Sequence, residues 1–408
     1  MIKNFIAVLF IFVTTLSFGQ EGTASPYSFY GIGDVRFSGT VENRSMGGIS
    51  MIPDSIHINL QNPAMYSNLK LTNFSVAGSL AQNEIKTYAQ TEKSQRTTVD
   101  YIAVGLPFKK FGLGFGLIPF SSVGYRLDNF NAANERVINT GTGGINKAFV
   151  GVGFKINKQF SAGVEFQYNF GTIETNNITE ITGVQYTTVE RNSSFINGVN
   201  FNIGVAYQRK INKKTNFYSA LTYSPTASLV NKSEREIALV QSPQINPSII
   251  TTFENKLNLP SKVVLGVGVG ELTKWGAGAE VTFKENSKFT NRLVDINNVS
   301  YKNATKVSFG GYYIPKFNSY TNYFSRMVYK AGLRYENTGL VINNKTITDA
   351  AFTLGISLPL KNTFSSLNLS FEHGSRGTTA NNLVRENYNL FSIGLSFNDR
   401  WFVKRKYN

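Results

Sequence analysis

Side chains able to do covalent chemistry are few in this chain. Cys is absent, which removes thiolate catalysis and the strongest zinc signals. The two histidines, His57 and His373, are far apart, and neither sits in a recognisable Ser, Asp or metal-ligand motif. The string Gly266-Val267-Gly268-Val269-Gly270 has glycines at alternate positions but no helix after it, so these are strand glycines and not a phosphate loop. No catalytic residue, metal ligand or cofactor is expected, and the chain reads as a non-enzyme. What the sequence does offer is pattern.

Between Phe160 and Phe170 the apolar residues Phe160, Ala162, Val164, Phe166, Tyr168 and Phe170 alternate with Ser161, Gly163, Glu165, Gln167 and Asn169. A strand turns successive side chains to opposite faces, so one face is apolar and the other polar. The pattern recurs at Phe201 to Gln208 and at Trp275 to Lys284. Many long strands that want an apolar medium on one side and water on the other predict a transmembrane β-barrel. A secreted β-sandwich also alternates, but its strands are commonly near 5 to 6 residues.

The N-terminus fits export. Lys3, the apolar run Phe5 to Val13 and Ser17-Phe18-Gly19 predict a signal peptide over residues 1–19. No Cys follows the cleavage site, which argues against a lipoprotein anchor. No stretch approaches the roughly 18 apolar residues of a membrane helix. The chain is 13% aromatic and only 16% charged, with 36 glycines. No sustained 3.6-residue pattern accompanies that composition.

Parity and punctuation together predict fourteen strands, near 73–82, 97–106, 111–125, 145–156, 160–172, 195–209, 215–229, 260–270, 275–286, 304–314, 326–337, 347–359, 365–374 and 387–398. Short connections alternate with long ones at 126–144, 173–194 and 230–259, as in outer-membrane barrels with tight periplasmic turns. The even count places both termini in the periplasm. Residues 20–72, punctuated by Pro26, Gly47, Gly48, Pro53 and Pro63 but carrying Tyr27, Phe29 and Met51, predict a plug in the lumen rather than a disordered leader. The plan is therefore a signal peptide (1–19), a hatch (20–72), a barrel (73–398) and a basic tail (399–408).

Arg44-Ser45-Met46-Gly47-Gly48, Asn62-Pro63-Ala64, Leu106-Pro107, Gly112 to Gly116 through Pro119-Phe120, the 148–170 hairpin, and Leu259-Pro260 leading into Val263 to Gly270 occur in an order and spacing that resemble the FadL family. The chain resembles in particular the FadL-like proteins of Bacteroidota, over most of residues 40–398. The resemblance implies a fourteen-stranded barrel with an N-terminal hatch that carries hydrophobic compounds. It implies that Asn62, Pro63 and Ala64 approach a kink in the third strand, where Pro119 interrupts the ladder. Gly47, Gly48, Pro119 and Phe120 complete the expected gate and ligand set. An ordinary turn at Asn62-Pro63 and a simple bend at Pro119 are the plain alternatives.

The expected function is passive uptake of hydrophobic, fatty-acid-like small molecules across the outer membrane, with lateral release into the lipid. The alternative is a non-transporting FadL-like barrel that scaffolds or shuttles partners, for example in type IX secretion. Expected partners are outer-membrane lipid, a hydrophobic small molecule and, in the alternative, a periplasmic or secretion-system protein. The net charge of +16 gathers at turns such as Lys109, Lys110, Lys210, Lys213, Lys214 and Lys274. Such a rim attracts lipid headgroups or an acidic partner, or simply solvates tight turns. Nucleic acid is not an expected target of an exported barrel. Inward parity carries Lys155, Glu165, Lys262, Glu280, Lys284, Lys330, Arg334, Glu336 and Glu372, whose mixed signs predict ion pairs across the lumen.

Overall fold

Fourteen antiparallel strands close into one barrel. The computed structural model describes residues 23–35, 39–130, 133–241, 244–245, 248–289, 298–319, 321–361 and 363–401. The expected signal peptide and residues 402–408 of the tail lie outside them. The strands are β1 (Thr72–Lys86), β2 (Thr91–Pro107), β3 (Phe111–Phe130), β4 (Arg136–Lys155), β5 (Phe160–Glu180) and β6 (Thr187–Lys210). Next come β7 in two pieces, Asn216–Ser224 and Ala227–Gln241, and β8 in two, Ile249–Leu259 and Lys262–Glu271. The rest are β9 (Trp275–Lys284), β10 (Ala304–Tyr313), β11 (Val328–Ile342), β12 (Lys345–Pro359), β13 (Ser366–Gly377) and β14 (Arg385–Asp399). Closure is complete: β14 pairs with β1 from Arg385 opposite Lys86 to Asp399 opposite Thr72. Pro225 and Pro260, which have no N–H to give a ladder, lie at the breaks in β7 and β8.

The outward faces carry what alternation predicts. Phe115, Val150, Val164, Phe201, Leu265, Phe309, Leu333 and Ile393 all point away from the interior and are exposed. They pack on one another across strands, as Phe166 does edge-on against Phe201 with ring centroids 5.6 Å apart. An uninterrupted apolar belt of this kind is unfavourable in water and is covered by a bilayer, so the barrel spans a membrane.

Three stretches expected as long loops are mostly strand. Residues 126–144, 173–194 and 230–259 extend the β3–β4, β5–β6 and β7–β8 hairpins well beyond the apolar belt. Their faces lose the apolar alternation, which hid them from a reading based on parity. Cross-strand charge pairs accompany them instead: Arg136–Asp128 at 2.7 Å, Arg235–Glu190 at 2.8 Å and Arg191–Glu236 at 3.3 Å. The strand expected over 215–229 is likewise split and continues to Gln241.

The described residues before β1 fold inside the barrel. Their helical pieces are a turn at Pro26–Phe29, a short helical turn at Val41–Arg44 capped by the Thr40 hydroxyl, and a turn at Pro63–Asn68. Val41, Ile58, Leu60 and Tyr66 pack with Ala77, Tyr101, Ala103, Ile118 and Phe149 of β1 to β4. Met46, Ile49, Met51, Ala64 and Met65 pack with Ala206 and Ala220 of β6 and β7. This inner segment thus buries the apolar groups that made it poor material for a disordered leader.

Candidate functional site

Neighbouring described strands pair along most of their length, and the widest gap in the wall lies between β2 and β3. β2 and β3 pair only from Pro107 opposite Gly112 to Ile102 opposite Leu117. Beyond that point β2 continues back to Thr91 with β1 as its partner, and β3 continues to Phe130 with β4. Both strands carry an irregularity where they part. In β2 the register skips Asp100, since Ala77 faces Tyr101 while Gly78 faces Val99. In β3 it skips Phe120, since Pro119 faces Asn146 while Ser121 faces Ile145. A bulge bends and twists its strand and ends local pairing, and Pro119 has no N–H to offer. The freed edge of β3 is met partly from within, where Asp34 and Val35 pair with Ser122 and Ser121.

Asn62, Pro63 and Ala64 do not lie at this break. Asn62 caps the Pro63–Asn68 turn by accepting the Ala64 N–H at 3.0 Å, and its amide reaches the Val205 carbonyl at 3.4 Å. The inner faces of Gly153, Gly163 and Gly204, on β4, β5 and β6, receive it so closely that a Cβ at any of them would collide with Asn62, Pro63 or Ala64. Gly153 is seven residues from Asn146, the partner of Pro119, or about 23 Å of strand at roughly 3.3 Å per residue. The link between the two places is apolar packing, since Ile118 shares a cluster with Leu60 and Tyr66. Gly47 and Gly48, with φ of +69° and +85°, sit on the far wall. There Met46 and Gly47 press against Gly310 and Gly332 of β10 and β11, and the Gly47 N–H donates to the Thr353 hydroxyl at 2.9 Å. The segment is therefore wedged between two glycine-lined patches on different sides of the barrel.

Above that floor lies a cavity of about 450 Å³. Phe120 and Ile118 line it beside the break in the wall, and charged side chains stand among apolar surface in the rest of its lining. Part of the expected ion pairing is present, on β11 to β13: Arg334 holds Glu372 at 2.7 Å and Asp349 at 3.1 Å, and Arg376 holds Asp34 of the inner segment at 2.9 Å, whereas Lys155, Glu165, Lys262, Glu280 and Lys330 make no ion pair among the described residues. Arg44 ties the segment to Asp100, the bulged residue of β2, at 2.9 Å. Lys284 pairs with Glu336 at 3.0 Å. Across the lumen, Val123, Ile145, Ile173, Ile196, Leu229 and Leu257 form a buried apolar patch on β3 to β8 around Ile32.

His57 has partners that its sequence context does not reveal. Its Nδ1 is 2.7 Å from Asp54 and its Nε2 is 2.8 Å from the hydroxyl of Ser366, 309 residues away. Ser, His and Asp in this order are the parts of a hydrolytic triad. The electrostatics differ from that of a base. Burial favours the neutral ring, but Asp54 and then Glu42, whose carboxylate is 3.7 Å from Nε2, outweigh it and raise the His57 pKa. Glu42 adds a second carboxylate beside Nε2, the nitrogen that faces Ser366. Ser366 is also 5% exposed, and none of the three residues lines the cavity. The trio is a clasp between the inner segment and β13.

No curated protein matches the chain in sequence. Solved structures do match in fold. The toluene transporter TodX of Pseudomonas putida superposes with a TM-score of 0.60 at 14% identity, covering 90% of this chain and 98% of that one. A Pseudomonas aeruginosa FadL homologue gives 0.59 at 12%, covering 86% and 96%. At such identities the likeness carries the fold, the closed fourteen-strand barrel. The BamG family model matches residues 1–408, the whole length, and the chain belongs to the BamG family.

Proposed function

We propose that this barrel passes small hydrophobic compounds into the outer membrane sideways, through the break between β2 and β3. One observation carries the reading: the widest gap in the wall, between β2 and β3, is unpaired beyond Ile102 and Leu117 beside an inward-facing Phe120. Unpaired backbone is costly against hydrocarbon, so such an opening needs a use and a cover. Asp34 and Val35 supply part of the cover. A lateral exit also spares an apolar molecule the charged lumen. In this reading residues 1–19 are an export signal, the inner segment is a hatch, Gly47, Gly48 and Asn62 to Ala64 anchor it, and both termini face the periplasm. TodX, described as a toluene transporter, is a precedent for the substrate class.

The test removes the irregularity while leaving the rest of β3 in register. Deleting Phe120 makes Pro119 and Ser121 consecutive partners of Asn146 and Ile145, and Pro119→Val restores the missing donor. Entry of an apolar dye into proteoliposomes should fall severalfold, with the amount of folded, heat-modifiable barrel unchanged. Equal entry would overturn the proposal.

A second reading is favoured by the lumen itself. Its lining carries many charged side chains, and its inner segment is wedged at two sites. A non-transporting barrel that scaffolds other proteins of the envelope would use its rim and loops instead. Co-purification in mild detergent followed by mass spectrometry separates the two, since a scaffold retains stoichiometric protein partners.

A further inference from the structure

Lys147, Lys262, Lys284 and Lys306, on β4, β8, β9 and β10, line the same cavity. Lys262 stands directly opposite Lys284, and Lys306 is opposite Thr282, diagonal to Lys284. Like charges in register repel, so this arc costs stability unless something neutralises it. The nearby carboxylates are already engaged. Glu336 takes Lys284, Glu165 accepts from Tyr66 and Gln167, and Glu280 accepts the Ser50 N–H at 2.8 Å and its hydroxyl at 2.7 Å. Among the described residues, Lys147, Lys262 and Lys306 have no carboxylate at ion-pairing distance. The ammonium of Lys147 lies over the Phe120 ring, 4.1 Å from its centroid.

We propose that this lysine arc binds a phosphoryl group. Three lysines on three strands line this open space with no carboxylate at ion-pairing distance, and a phosphate dianion can pair with more than one of them. Lys serves phosphate as a point charge free to adjust its direction, with neutral Asn200 and Asn202 beside it to donate further. A carboxylate brings a single charge and leaves most of the arc unpaired. The phosphoryl group comes from a free phosphate or from the headgroup of a phospholipid whose acyl chains reach out past Phe120. The site does not depend on whether apolar compounds cross the wall.

Calorimetric titration of the full-length barrel in a non-ionic detergent tests this. The probes are inorganic phosphate alone and a short-chain phosphatidic acid. Both the triple variant Lys147→Gln/Lys262→Gln/Lys306→Gln and a rim control, Lys109→Gln/Lys110→Gln, are compared with the parent. Binding should weaken by about tenfold per lysine removed from the arc, by the usual worth of a charge-assisted hydrogen bond. It should weaken with added chloride and be unchanged in the rim control. Binding of inorganic phosphate assigns a free phosphate, and binding of phosphatidic acid alone assigns a headgroup. Either supports the site. Equal affinity in the parent and the triple variant, or no binding of either probe by the folded parent, overturns it. Should the triple variant not fold, Lys262→Gln and Lys306→Gln singly carry the same comparison. A neutral dye in the transport assay should enter at the parental rate in Lys262→Gln and Lys306→Gln, which do not touch Phe120, so failure here and failure of the lateral route are read separately.

Discussion

His57 joins the inner segment to the barrel, and its charge state follows from its neighbours. Asp54 and Glu42 face it with negative charge, Lys330 opposes them, and Ser366 offers a neutral oxygen. Since the folded pKa is raised above the ordinary value of about 6.5, the clasp contributes its full stability below that pH and loses it as pH rises through the folded value. Hydrogen exchange around residues 54–58 should therefore quicken as pH rises from 6 to 9, after correction for the intrinsic rate. His57→Gln should flatten that dependence and leave the exchange of β5 unchanged. An unaltered profile in the variant would show that His57 does not hold the segment. Nothing local in the sequence announces this contact: Asp54 is near, but Ser366 arrives only when β13 is laid beside the segment.

At the scale of elements, strand existence was legible and strand length was not. Outward alternation such as Val164, Phe166, Tyr168 marks the part of a strand that meets lipid, whereas the extensions near Glu190 and Arg235 alternate polar with polar. Pro119 was visible as a ladder breaker, but the matching bulge at Asp100 was not, because skipping one residue in β2 merely shifts the parity of Thr97 and Val99 relative to Ile102 and Val104. The Lys147–Lys306 arc escaped for a similar reason, being set by register across β8, β9 and β10. The break makes a local prediction. In β2, amides of residues 97–100 that point away from β1 pair with no described strand and should exchange much faster than those of 102–106, which bond β3. Uniform protection along β2 would mean that the break is closed in solution.

At the scale of the molecule, the turns on the side of Asp399 collect Lys109, Lys110, Lys158, Lys210, Lys213, Lys214, Lys274, Lys316 and Lys361, all exposed. The opposite end carries the long paired hairpins. If the termini face the periplasm as proposed, a cysteine introduced at Asn212 should resist a membrane-impermeant maleimide on intact cells, while one at Asn134 should react. The reverse pattern would invert the barrel. The fold was legible because every strand had to satisfy lipid on one face, a demand that repeats fourteen times. The contents of the lumen answer to no such repeat: Asn62 to Ala64 and Pro119 were singled out together, yet they lie at different heights of the wall.

The glycine patches that receive the inner segment also impose an order in time. Gly163 and Gly204 touch the backbone of Pro63 and the side chain of Asn62, and Gly310 and Gly332 touch Met46 and Gly47, so the fit is of surfaces with no room to slide. A ring already zipped from β14 to β1 would have to admit that piece through its own mouth, past Arg376 and Tyr388. The inner segment is better regarded as a mandrel: the sheet curls around it, and the Arg385–Lys86 to Asp399–Thr72 seam is the last to be drawn shut.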